Sequence, residues 1–201
     1  KWLTFDVTYC HTSHPILEYV ETYKDNPAIG LQKPLNGIAY DDVETSVSLQ
    51  PTFGFWHPSF TASIDKQWFN MDTYEGKALN KPMASFRFDN TFDTKLAMFT
   101  LMMTYDTKGH EQNRYLYKPM FCTNMSIYKA CMKNRLSFQF FIYDLFGSND
   151  SHVVAYFGKL RNMVYDALSN SKVSLTVRYT FNTSRSKYKG TGAGVGQKER
   201  I

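Results

Sequence analysis

The stretch Lys172-Val173-Ser174-Leu175-Thr176-Val177-Arg178-Tyr179-Thr180-Phe181-Asn182 alternates without a break. Val173, Leu175, Val177, Tyr179 and Phe181 are apolar, and every residue between them is polar or charged. Successive side chains of a strand point to opposite faces, so the segment has one apolar and one polar face. A tilted strand of about this length also crosses a bilayer.

Reading outward, the same period recurs upstream and predicts about nine strands in all. Lys1–His11 sets Leu3, Phe5, Val7 and Tyr9 against Thr4, Asp6, Thr8 and Cys10. Ile16–Tyr23 follows a short turn at His11–Pro15. Asp42–Phe53, Ser59–Trp68 and Met83–Phe92 alternate cleanly, with Phe60, Ala62, Ile64, Ala84, Phe86 and Phe88 on the apolar side. Lys95–Asp106, Arg114–Ile127 and Arg135–Phe146 alternate more weakly, because Met98, Met102 and Cys122 fall on the polar face. Short turns near Gly54–Pro58, Asp93–Thr94 and Met132–Asn134 take turns with longer links at Lys24–Gly37, Met71–Pro82, Thr107–Asn113 and Gly147–Leu160. Such a rhythm predicts an up-and-down antiparallel sheet with tight turns on one rim and long loops on the other.

Composition narrows the solvent. The 201 residues include 16 Phe and 14 Tyr, too much apolar surface for a disordered chain. The longest nearly apolar stretch, Leu96–Met103, is about half of what a transmembrane helix needs. Of the net charge of +5, most sits in the tail, where Arg185, Lys187, Lys189, Lys198 and Arg200 face only Glu199. A solvated basic terminus explains that charge, and no nucleic-acid role is expected. Three cysteines at long spacings and five histidines in predicted turns support neither a disulfide framework nor a metal or other cofactor site. No nucleophile motif or catalytic carboxylate pair is visible, so no enzyme is expected.

Alternation alone fits a soluble all-β binding module as well as a membrane barrel. The strand lengths exceed the usual mode of about 5 to 6 residues. Aromatic residues also gather near strand ends: Phe53, Phe55 and Trp56 at one rim, Trp68 and Phe69 at the other, with Tyr105, Tyr115, Tyr117, Tyr179 and Phe181 elsewhere. Trp and Tyr favour the bilayer interface, so these clusters resemble girdles. The expected fold is all-β, a segment of an antiparallel up-and-down transmembrane β-barrel.

The strings Thr52–Ala62 and Leu136–Phe146, the ending Val177–Asn182, and the tail Ser186-Lys187-Tyr188-Lys189-Gly190-Thr191-Gly192-Ala193-Gly194 then resemble a known family. They are similar to the C-terminal β-barrel region of TonB-dependent-receptor-like outer membrane proteins. The resemblance implies an outer-membrane location, contact with outer-membrane lipid, and uptake coupled to the TonB system through a plug and TonB box upstream of Lys1. It also implies that Tyr179 and Phe181 belong to the signal read by the barrel-assembly machinery. A passive or structural barrel without TonB coupling is the alternative. On this reading residues 1–182 are barrel and 183–201 a flexible, basic periplasmic tail. An odd strand count with two open edges predicts further strands before Lys1.

The candidate lumen residues are Asp65, Arg87, Asp89, Arg114, Lys118 and Arg178, the charges on the polar faces. Asp65 and Arg87 are expected to pair across neighbouring strands. The long links are expected to face outward, where a ligand is first met.

Overall fold

The computed structural model describes residues 2–24, 26–73, 76–166 and 171–181. The basic tail, with its glycine run, lies outside the described residues. Among the described residues there are fourteen strands: β1 (Leu3–Thr12), β2 (Ile16–Tyr23), β3 (Asn26–Asn36), β4 (Tyr40–Leu49), β5 (Trp56–Trp68), β6 (Met83–Asp93) and β7 (Met98–Asp106) form the first half. The second half holds β8 (Gly109–Glu111), β9 (Arg114–Leu116), β10 (Met120–Cys131), β11 (Leu136–Tyr143), β12 (Ser151–Phe157), β13 (Leu160–Asp166) and β14 (Lys172–Tyr179).

Eight of them make one antiparallel sheet in the order β1-β4-β5-β6-β7-β10-β11-β14. The registers carry one face across the sheet without slippage. Phe5 sits opposite Val47, Val47 opposite Ala62, Ala62 opposite Phe86, and Phe86 opposite Tyr105. The reverse face runs Thr4, Ser48, Thr61, Arg87, Thr104 and Cys122. Because the side-chain period is two, a slip of one residue would exchange these faces, so the pattern fixes the register.

Among the described residues nothing covers the apolar face. Phe60, Phe86, Phe99 and Phe138, all in central strands, remain 36–39% exposed, and Val173, Leu175 and Val177 on β14 exceed half. A soluble sandwich would bury that face against a second sheet. Here the apolar face is an outer surface, and only lipid satisfies an apolar surface of this extent. Where a polar group intrudes on it, a partner is supplied: Asn90 accepts from the Trp56 indole at 3.1 Å.

Tight turns join strands along one rim. Gly54 at φ +61° closes the β4–β5 turn, Met132, Lys133 and Asn134 all take positive φ between β10 and β11, and Thr94 Oγ1 receives the amides of Leu96 and Ala97 between β6 and β7. Phe53, Trp56 and Phe92 stack there at 5.3 and 6.2 Å, the girdle expected at this rim. On the opposite rim the connections are long and fold into strands of their own.

The strand count corrects the expectation of about nine. Ile16–Tyr23 is a strand but leaves the main sheet and pairs with β3, inside the segment expected to be a loop. The supposed turn at His11–Pro15 is a kink within one long hairpin, held by His14 at φ +51° and by Gly37 N–H donating to Pro15 O at 2.7 Å. Arg114–Ile127 breaks at Lys118-Pro119 into β9 and β10, since proline cannot donate to a ladder. The sheet is open, with β1 and β14 as its edges.

Candidate functional site at the long-loop rim

The best-packed part of the molecule is not in the sheet. Leu17, Tyr40, Phe69, Leu79, Val154 and Tyr156 form the buried cluster, with Met71, Tyr115 and Tyr117 against it. All of them lie on or beyond the long-loop rim. The Tyr40 and Phe69 rings meet at 5.0 Å, and Phe69 and Leu79 are each 1% exposed. Phe69, Tyr115 and Tyr117 are therefore core residues of a loop layer rather than parts of a lipid-interface girdle.

Three hairpins build this layer. The β2–β3 arm extends the first hairpin, β8 and β9 stand between β7 and β10, and β12 and β13 stand between β11 and β14. The latter four join as a sheet in the order β13-β12-β9-β8. Polar side chains fasten the layer to the long-loop end of β5 and within itself. Buried Gln67 donates to Leu79 O at 2.6 Å and to Gln112 O at 2.9 Å, and its Oε1 accepts from Gln112 N at 2.7 Å. Asn113 and Tyr156 exchange two hydrogen bonds of 2.9 Å. Fully buried Asp144 receives the amides of Ser148 and Asn149 on its two oxygens, at 2.9 and 3.2 Å.

His110 on β8 accepts from Lys81 N–H through Nδ1 at 2.8 Å, while its own amide donates to Lys81 O at 2.9 Å. Burial, and then the charges of Lys81 and Lys66, lower its pKa to about 4. The ring is therefore neutral at neutral pH, as an acceptor at Nδ1 must be. With His11, His57 and His152 it lies in a strand rather than in a turn.

The candidate lumen residues do not converge. Arg87 pairs with Asp89 on its own strand, Nε to Oδ2 at 2.7 Å, and not with Asp65. The register explains this: Asp65 stands opposite Met83, while Arg87 stands opposite Thr61, four residues further along. Asp65 also faces Glu44 of β4. Arg114 lines a recess of about 210 Å³ beneath β8 and β9, shared with Asp106 and Glu111. Lys118 is exposed in the connector after β9, and Arg178 is exposed near the tight-turn end of β14.

A larger and more apolar cavity, about 370 Å³, opens between the β2–β3 arm and the segment after β5. Leu17, Leu35, Ile38, Phe69 and Met71 contribute its apolar walls, and Asp72 stands at its edge. An adjoining groove of about 700 Å³ shares Tyr19 and Asp72 and reaches Lys159 and Leu160 at the β12–β13 turn. Lys159 Nζ lies 3.7 Å from Asp72 Oδ2 there. Period-two reading missed these residues because they come from kinks and connections, where no alternation marks them.

Open apolar exterior, polar interior face, tight turns opposite long loops: these are the features of an outer-membrane barrel. The chain belongs to the outer membrane protein beta-barrel family, whose model matches residues 1–188. It is an outer-membrane protein that crosses the bilayer repeatedly as β-strands. In such barrels short turns face the periplasm and long loops the exterior, which puts the packed loop layer outside the cell. No curated protein and no solved structure matches the chain.

Proposed function

We propose that this chain is the C-terminal barrel part of a receptor-like outer-membrane protein that takes up a nutrient, coupled to TonB through a plug outside this segment. The observation that supports the reading is the loop layer. An unselective pore needs an open mouth, whereas here three hairpins pack around an apolar cluster at the long-loop rim. Ordering so many residues costs conformational entropy, which a binding role justifies. The sheet's open edges support further strands completing the ring, because unpaired backbone groups in hydrocarbon cost several kcal/mol each. Binding and passage, not catalysis, is the proposed activity, with Tyr179 and Phe181 read by the assembly machinery.

The test is uptake of labelled nutrient mixtures by cells with and without the gene, before and after dissipation of the proton gradient. Gene-dependent uptake that stops with the gradient supports the reading. Gene-dependent uptake that ignores the gradient favours a passive barrel, and no gene dependence rejects both.

A further inference from the structure

We propose that the cavity between the β2–β3 arm and the segment after β5 is a binding site for the apolar body of a small ammonium-bearing ligand. Its apolar walls come from three separate stretches of chain, among them Leu35, Ile38 and Met71. At about 370 Å³ it falls in the range of small-molecule sites, roughly 300 to 1,000 Å³. Such a site combines apolar walls with a few polar groups that fix orientation, and Asn36 and Asn70 are neutral ones among its lining.

The charge of the ligand follows from Asp72. It is the one ionisable carboxylate or cation among the described residues lining this cavity, and its existing partner holds it weakly. Lys159 Nζ lies 3.7 Å away, with both side chains well exposed, at 82% and 65%. An exposed pair of that kind contributes little and is readily exchanged. A ligand ammonium seated at the cavity edge replaces Lys159, while a ligand carboxylate meets Asp72 as a like charge. The Gly158 turn keeps the cavity in shape, because Tyr19 fills the space where a side chain at 158 would stand.

This site is a property of the loop layer and is independent of energy coupling, so it is tested by binding alone. The full-length protein in nanodiscs is titrated calorimetrically with 4-phenylbutylammonium and with 4-phenylbutyrate, which share one apolar body, and empty nanodiscs correct for lipid partition. The ammonium is expected to bind saturably and at least about threefold more tightly than the carboxylate at low salt, the scale of one exposed charge. Asp72→Asn should abolish that preference. Ile38→Trp, at an exposed position that tolerates the larger ring, should block both ligands while leaving the protein's heat-dependent gel mobility intact. Equal binding of the two ligands to the parent protein, or unchanged ammonium binding in folded Ile38→Trp, would overturn the proposal. Uptake that proves passive would leave these results standing.

Discussion

Single residues carry the attachment of the loop layer, and their chemistry sets its tolerance to change. Gly158 takes φ +66°, and a Cβ there would overlap the Tyr19 ring. Gly158→Ala is therefore strained twice, by its backbone and by its neighbour, and should destabilise the β12–β13 turn by about 1–3 kcal/mol. Faster amide exchange in residues 16–23 and 151–166, with the main sheet unchanged, is the expected readout. Asp144 is the second such point. Asp144→Ala leaves one buried and one half-buried amide without acceptors, a loss of about 1–3 kcal/mol, whereas Asp144→Asn keeps one acceptor and the tolerance for positive φ. Limited proteolysis of the 144–150 turn should rank the variants in that order.

His110 adds a pH dependence. Its folded pKa is lowered to about 4, below the value near 6.5 of an unfolded chain. The unfolded hairpin thus binds the proton first, and stability is fully present above pH 6.5. It falls as pH drops from about 6.5 toward 4, where protonation also removes the acceptor for Lys81 N–H. Protection of the Gly109–Glu111 amides, with the intrinsic pH dependence of exchange divided out, should fall as pH drops across that window, and in His110→Phe the fall should be gone. An unchanged profile in the variant would show that another group sets it.

At the scale of elements, alternation told which segments are strands but not which sheet they join. β14 and β5 read directly because one face is lipid and the other polar, so their period is undiluted. Ile16–Tyr23 sets apolar residues side by side at Ile16-Leu17 and Tyr19-Val20, and the positive-φ kink at His14 turns it out of the sheet, a backbone event that side-chain period does not register. β3 read as a loop because Pro27, Gly30 and Pro34 break its pattern, and such residues are tolerated in a strand at an edge. β12 was missed for the opposite reason: Val153, Val154, Ala155 and Tyr156 are buried in succession, so no alternation appears. The candidate site was the least legible part. Its walls come from residues 17, 35–38 and 69–72, which the topology alone brings together.

The exposed face of β14 gives the sharpest element-level prediction. Leu175→Arg puts a charge into lipid near mid-strand and should cost about 2–4 kcal/mol, while Thr176→Arg, one residue on, faces the polar side and should be tolerated. Heat-dependent gel mobility of the membrane fraction should fall for the first and persist for the second. Equal behaviour would contradict the assignment of faces.

For the whole molecule, two solvents act on two separate layers. The sheet is held by its ladder and by lipid, the loop layer by a water-excluding apolar cluster of the ordinary kind. In native membranes the parent protein should resist carbonate extraction and shift on boiling, and exchange should show the loop layer opening well before the sheet. Loss of both together would mean that the layers are one cooperative unit.

The contrast between the two rims has a further consequence for how such a chain changes over generations. Along the tight-turn rim, segments such as Met132-Lys133-Asn134 need particular backbone angles, so insertions there should be disfavoured. The arm of β2 and β3 is already an insertion in all but name, a lengthened hairpin that leaves the register of its neighbours untouched. The outward surface can therefore be lengthened or replaced hairpin by hairpin without disturbing the register of the membrane-embedded wall below.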